Sequence, residues 1–229
     1  MKAIITITIA LITFCSCKKE AIKYTTKQVS LENFSKLDIS NNVEIQVAKA
    51  ATYSILITGK ITDVDDVITN VQNGELKIGY ANTQQSRDRL LVQITMPSLL
   101  KFNFSANSNF SITGFDESQV VEGIISNSTN GTANIKATEF NLTIQNNAEL
   151  ILSGSAEKIK CTVYGNSYLH TYNVLAKTVE AIANGNSQIK TYAHQVINAS
   201  SSGNSIIYFK GNPGNKFLAE QDNSRIIEQ

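Results

Sequence analysis

The chain has 229 residues and a mass of 25.0 kDa; it is 42% apolar and 17% charged, which suits one large β domain or two small ones and excludes a disordered chain or a charge-rich helical bundle. Twenty basic side chains against nineteen acidic ones leave +1 at neutral pH, so no electrostatic excess is available to hold a nucleic acid backbone. With two His and no Trp, a His-rich metal centre is excluded, and no cofactor is expected.

The first element is an address. Lys2 is a short positive start, and Ala3 to Phe14 is an apolar run of twelve residues. A spanning helix needs about 20 residues, so this is a signal-peptide core. It ends in Phe14-Cys15-Ser16-Cys17-Lys18-Lys19. A small residue directly before Cys resembles the lipobox of bacterial lipoproteins. That resemblance implies cleavage after Ser16, diacylation of the Cys17 thiol and acylation of the new amino terminus. The alternatives are an ordinary secretory signal and an uncleaved anchor helix; Cys15 is disfavoured by the bulky Phe14 before it. The predicted organisation is a signal peptide over 1–16, a lipidated Cys and tether over 17–30, and a single β-helical domain over 31–229. The implied partner is a membrane, gripped at about 0.8 kcal/mol per buried CH2. Cys161 is then the one cysteine of the folded domain, which must stand without a disulfide.

Residues 31–96 carry alternating apolar positions, as in Leu37, Ile39, Val43, Ile45 and Val47, and in Leu90-Leu91-Val92-Gln93-Ile94. They predict an irregular, sheet-rich first layer that caps the rest of the domain and shares its core. Asp63, Asp65 and Asp66 in this stretch lack the Gly and distal Glu of a calcium loop and read as a solvated turn.

From about residue 100 a short unit recurs: Asn or Gly, then Asn, then Ser or Ala, then any residue and an apolar one. It appears as Ala106-Asn107-Ser108-Asn109-Phe110, Asn146-Asn147-Ala148-Glu149-Leu150, Gly165-Asn166-Ser167-Tyr168-Leu169, Gly185-Asn186-Ser187-Gln188-Ile189 and Gly203-Asn204-Ser205-Ile206-Ile207. From Asn147 to Asn204 the steps are 19, 20 and 18 residues. Apolar residues flank each Asn with a period of two, the strand period. Each unit therefore reads as strand, corner, strand and return turn. Short strands cannot bury one apolar face alone, and stacking them at about 4.8 Å makes a continuous core. The predicted fold is all-β, a right-handed parallel β-helix with rungs of about 19 residues. Gly165, Gly185 and Gly203 stand where the chain bends, with Asn146 and Asn41 in the same role. Asn107, Asn147, Asn166, Asn186 and Asn204 are expected to stack into a ladder whose amides donate and accept in turn. A sugar or ion site on these asparagines is the functional alternative to that structural role. Ser126 to Gly131 is irregular and predicts a bulged loop, and Pro213 marks a capping turn that blunts the C-terminal edge.

Phe34-Ser35-Lys36-Leu37-Asp38-Ile39, Asn73-Gly74-Glu75-Leu76-Lys77-Ile78, Ser202-Gly203-Asn204-Ser205-Ile206 and Lys210-Gly211-Asn212-Pro213 occur in that order. Together with the lipobox they resemble the putative autotransporter adhesin head GIN domain family, over residues 31–222. The resemblance implies a β-helical envelope domain of adhesive function, without catalytic residues to carry over. The chain shows neither a coiled-coil stalk nor a membrane barrel pattern, so it departs from a true autotransporter.

Tyr172 and Tyr192 each follow their Asn by six residues and are expected to stack as an aromatic pair. Such a pair either covers the sheet or receives a sugar ring or a protein partner. His170 and His194 read as surface histidines, and Cys161, between Ile159 and Val163, as a buried small hydrophobe. These readings imply a non-catalytic, membrane-anchored solenoid of the outer membrane, periplasmic or surface-facing, that presents a binding surface to a glycan or protein. A carbohydrate-active β-helix enzyme and a periplasmic structural or envelope-stress protein are the alternatives.

Overall fold

The computed structural model describes residues 22–82 and 87–229, so the expected signal peptide and Cys17 lie outside the described residues. The elements in chain order are β1 (Tyr24–Val29), β2 (Lys36–Ser40), β3 (Val43–Lys49), β4 (Ser54–Lys60), the short helix α1 (Ile61–Asp65), β5 (Val67–Gln72), β6 (Glu75–Tyr80), β7 (Leu90–Met96), β8 (Lys101–Ser105), β9 (Asn109–Asp116) and β10 (Val120–Ser126). Then come the longer strands β11 (Asn130–Gln145), β12 (Glu149–Gly165), β13 (Tyr168–Gly185) and β14 (Gln188–Ser201), and finally β15 (Ile206–Lys210), β16 (Asn215–Glu220) and β17 (Arg225–Glu228). They form a parallel β-solenoid of about seven turns with rungs of about 20 residues.

Each long strand passes through a return turn, so its first half stacks on one coil and its second half on another. β11 pairs with β9 through contacts such as Gly131↔Phe110, and with β10 through Phe140↔Val121 and its neighbours. Register is set by the period-two pattern. A one-residue slip would send every apolar side chain of a coil to solvent. One inward column runs Leu37, Phe102, Gly123, Leu142, Cys161, Ala181 and Ala199, all buried. Its residues differ in size because neighbouring coils share one volume. A Cβ on Gly123 would lie 2.5 Å from the Phe102 ring and 2.9 Å from Leu142. Phe102, Phe104 and Phe110 meet at ring-centroid distances of 5.1 to 6.3 Å.

The corners share one backbone device. Asn41, Ala106, Asn127, Asn146, Gly165, Gly185, Gly203 and Asp222 stand at equivalent corner positions, and all have φ between 56° and 78°. Left-handed backbone costs L-residues about 1–2 kcal/mol, which explains the Asn, Asp and Gly bias. Behind it lies a buried column of small residues: Ser108, Thr129, Ala148, Ser167, Ser187, Ser205 and Ser224. Their hydroxyls satisfy backbone groups that the corner takes out of the ladder. Ser205 Oγ donates to the Ala183 and Ser202 carbonyls at 2.9 and 2.8 Å, and Ser187 Oγ to the Val163 carbonyl at 3.0 Å.

The structure changes several expectations. The predicted tether is partly folded, because Tyr24–Val29 is an edge strand antiparallel to β4, from Tyr24↔Lys60 to Val29↔Ile55. Ser126 to Gly131 is an ordinary corner at Asn127-Ser128, not a bulged loop. Gly131, inside that stretch, is not a turn residue. It is an in-line strand position kept small by Phe110, whose ring would lie 2.4 Å from a Cβ there. Residues 211–229 do not cap the solenoid but add a further coil, with β16 parallel to β14 and β17 parallel to β15. Pro213 sits in the return turn, where no ladder N–H is needed.

The N-terminal layer is sheet-rich, and its coils are stacked out of chain order. β2 lies between β6 and β8, and β3 lies between β7 and β9. Beyond β7 the sheet continues antiparallel through β4 to β1, and β5 pairs antiparallel with β6. α1 crosses between the two edges.

Candidate functional site

A groove with a volume of about 530 Å3 runs across the return turns of five successive coils. Its floor is a column of alanines in ladder register, Ala137↔Ala156↔Ala176, and the register continues to the fully buried Ala193. Small side chains at the same place in every coil leave a trough where larger ones would fill it. Five coils at the strand spacing give a length of ~19 Å. The residues preceding these alanines are Lys136, Ser155, Leu175 and Tyr192, and those after them are Thr138, Glu157, Lys177 and His194. Asp116 and Glu117 close one end.

The charges of the groove are largely self-neutralised. Lys136 Nζ lies 3.7 Å from Asp116 and Lys177 Nζ 2.5 Å from Glu157. The buried Glu117 accepts hydrogen bonds from the Leu99 N–H at 3.1 Å and the Ser98 hydroxyl at 2.9 Å. Leu175, 67% exposed, and the Tyr192 ring supply apolar surface beside hydroxyls from Thr138 and Ser155. Gly211 lies beside that ring, and its lack of a Cβ answers the Ala193 carbonyl oxygen, 2.2 Å from where one would stand. The groove thus offers a long, shallow, nearly neutral bed with hydroxyl and amphipathic contacts.

Tyr172 stands apart from it. The paired register of β13 and β14 ends at Thr171↔Thr191 and resumes at Ala176↔Ala193, a break that separates the two tyrosines. Among the described residues the ring–ring contacts involve Phe34, Tyr53 and the three core phenylalanines, and the expected Tyr172–Tyr192 stack is not one of them. Tyr172 instead donates to Gln229 Oε1 at 2.8 Å and carries the Lys210 ammonium 4.6 Å from its ring centroid. Burial and the neighbouring Tyr208 push its phenol up.

The asparagines form two files. Asn166 Nδ2 donates to Asn147 at 3.1 Å, Asn186 to Asn166 at 3.1 Å, and Asn204 to Asn186 at 3.2 Å. Asn223 extends the file by donating to Asn204 at 3.2 Å, an addition hidden by the reading of residues 211–229 as a cap. Asn107 is not joined to Asn147, because Ser128 occupies the intervening corner. Its Nδ2 donates to Asn42 at 3.3 Å, and Arg89 closes that end against Asn42 Oδ1 and the Asn107 carbonyl. With their amides engaged along the stack, these asparagines offer fewer free groups than the groove.

His170 faces Glu149 at 3.5 Å, with its pKa lowered by burial and by Lys190. His194 lines the groove. Cys161 is buried, which pushes its thiol up to about 12. The acidic stretch is not a solvated turn: Asp63 is 4% exposed and accepts from the Asp88 N–H at 3.2 Å, and Asp66 pairs with Arg87. Arg87 also lies 4.2 Å over the Tyr80 ring, so the cluster latches α1 to the chain before β7. Among the described residues no three His, Cys, Asp or Glu side chains converge as metal ligands, and no helix is long and apolar enough to cross a membrane.

The groove was missed in the sequence although its signal was there. Ala137, Ala156, Ala176 and Ala193 recur at steps of 19, 20 and 17 residues, close to the length of one coil.

Residues 33–213 match the family described as "Putative auto-transporter adhesin, head GIN domain". No curated protein matches the chain. Among solved structures, a putative adhesin from Bacteroides fragilis superposes with a TM-score of 0.87 at 20% identity, covering 91% of this chain and 98% of that one. Putative adhesins from Parabacteroides distasonis (TM-score 0.71, 14% identity, 91% and 98% covered) and Parabacteroides merdae (0.69, 16%, 90% and 96%) share the fold.

Proposed function

The chain belongs to the putative auto-transporter adhesin, head GIN domain family, and from that premise we propose a non-catalytic adhesive protein of the cell envelope, held by lipid on Cys17, that binds an extended glycan in the alanine-floored groove. The observation that carries the reading is the groove itself. It crosses five successive coils along the solenoid axis, so an extended chain of sugars can lie in it. Tyr192 offers a face for a sugar ring, and Thr138, Ser155 and the paired charges offer hydrogen-bond partners for hydroxyls. Of the carboxylates here, Glu117 is held by the Leu99 N–H and the Ser98 hydroxyl, and Asp116 and Glu157 each face a lysine in an exposed ion pair, with no second carboxylate among the described residues arranged against either as an acid–base pair would need. That supports binding without turnover. Many anchored copies would multiply weak contacts by avidity.

The test is a glycan and matrix-protein binding screen with the chain from Lys18 onward. Tyr192→Ala should weaken the best ligand by about tenfold, the scale of a buried aromatic contact. Tyr172→Ala, outside the groove, should leave it unchanged. Protein ligands alone, or a glycan indifferent to Tyr192, would remove the reading. The mass of the mature N-terminus tests the lipid, and Cys17→Ala should leave the chain unprocessed. Protease shaving of intact cells separates surface display from a periplasmic structural role.

A further inference from the structure

The end of the solenoid nearest Cys17 carries a surface that the groove does not use. β1 pairs only with β4 and β5 only with β6, so both are edge strands there, with α1 between them. Tyr24, Ile61 and Ile68 on these three elements are 67%, 37% and 53% exposed, and Ile22, just before β1, is 60% exposed. Ile61 is tied to the first strand, its N–H donating to the Lys23 carbonyl at 3.0 Å. Lys23 and Lys27 are exposed on or beside β1, and Lys60 is the register partner of Tyr24. Asp65 and Asp88 are exposed acids at this end, while Asp63 is buried and Asp66 is bound by Arg87.

We propose that this face docks on an anionic bilayer surface, with Tyr24 and the isoleucines at the interface and the three lysines among the headgroups. Two observations select a lipid surface over other occupants. Exposed apolar and basic side chains occur together at this sheet edge, with Lys60 beside Tyr24, a mixture suited to an anionic interface. And Ile22 stands five residues from Cys17, a span of at most ~17 Å, so an anchored chain holds this end against the membrane. The proposal rests on the lipid-anchor reading for that proximity and adds an orientation, with the opposite coil pointing away. From β1 to β17 one face of the solenoid runs through eleven strands, or ~48 Å at the strand spacing.

The mature anchored protein is reconstituted in vesicles of phosphatidylcholine alone or mixed with phosphatidylglycerol. A fluorophore is attached through Thr26→Cys on β1 or Phe217→Cys on β16, since buried Cys161 does not compete for label. Brominated lipid should quench the label at position 26, only in anionic vesicles, and spare the label at position 217. Each lysine contributes roughly fivefold near an anionic surface, so K23Q/K27Q/K60Q should lower the docked-to-undocked ratio on the order of a hundredfold while the anchor keeps the chain on the vesicle. Equal signals from both positions would overturn the proposal. So would quenching at position 26 that ignores lipid charge and the lysine changes, because the tether alone accounts for it. Protection of position 26 without vesicles, with a dimer by sedimentation, would overturn it in favour of a second copy. Failure to remain on neutral vesicles, together with an unmodified N-terminal mass, would instead sink the anchor reading, and co-flotation of that chain with anionic vesicles would still decide the face.

Discussion

Ala106 breaks the corner rule that its neighbours keep. It holds φ of 60° in a file otherwise made of Asn, Asp and Gly, between Asn41 and Asn127 in the stack. Alanine pays about 1–2 kcal/mol for left-handed backbone, and asparagine a good part less. An Asn side chain there would also join amides on either side, as Asn146 Nδ2 joins Asn127 Oδ1 at 3.0 Å one coil further on. An exposed hydrogen bond of that kind adds about 0.5 kcal/mol. Ala106→Asn should therefore stabilise the chain by about 1.5 kcal/mol, or about 3–6 °C in Tm for a protein of this size. Ala106→Gly relieves the same strain but loses about 0.5–1 kcal/mol to its freer unfolded state, so it should fall close to the parent. Urea unfolding of the three proteins reads the order directly. An Ala106→Asn midpoint at or below the parent would refute the claim that corner strain, not core volume, selects these residues.

Four other substitutions test the packing and the titrating groups. Gly131→Ala should cost about 1–3 kcal/mol by overpacking against Phe110, and Phe110→Leu should cost about 1–2 kcal/mol by leaving a gap; the double variant should cost less than their sum, and strict additivity in denaturant midpoints would refute the shared volume. Cys161 should resist thiol reagents until the chain unfolds, and Cys161→Ser should cost about 1–3 kcal/mol by burying a hydroxyl among apolar neighbours; fast labelling of the native chain would contradict its burial. His170 titrates below its ordinary 6.5 when folded, because burial and Lys190 outweigh Glu149. The unfolded chain then binds more protons, so stability present above pH 6.5 is lost as pH falls through that value toward the folded pKa. His170→Gln should flatten that part of the urea-midpoint profile, and an unchanged slope would assign the loss to other groups.

The parts of the fold that repeat could be read from the sequence, and the parts that compensate could not. Asn166, Asn186 and Asn204 recur with their apolar flanks, and strand period plus repeat length suffice to stack them. Gly131 could not be read so, because its small size answers Phe110 in another coil, a relation that no local pattern carries. Tyr24–Val29 looked like tether because its partner, β4, lies some thirty residues on and an edge strand needs only one buried face. The groove failed to stand out for the opposite reason: alanine is common, and four of them acquire meaning only when the coils bring them into one file. Tyr172 and Tyr192 share an offset from their asparagines, but the irregular turn between Thr171 and Ala176 parts them.

The slotting of residues 36–49 between 75–96 and 101–116 sets an order of events for assembly. A chain threaded from its amino end cannot close this wedge until both neighbours have emerged, so more than a hundred residues must be present before the first interior is sealed. Those early contacts span long sequence separations and are the slow ones. Past that point each added rung needs only the one before it, and growth proceeds like a zipper. Damage to the wedge should therefore stop maturation outright, whereas truncation near the far tip should shorten the rod and leave the rest intact.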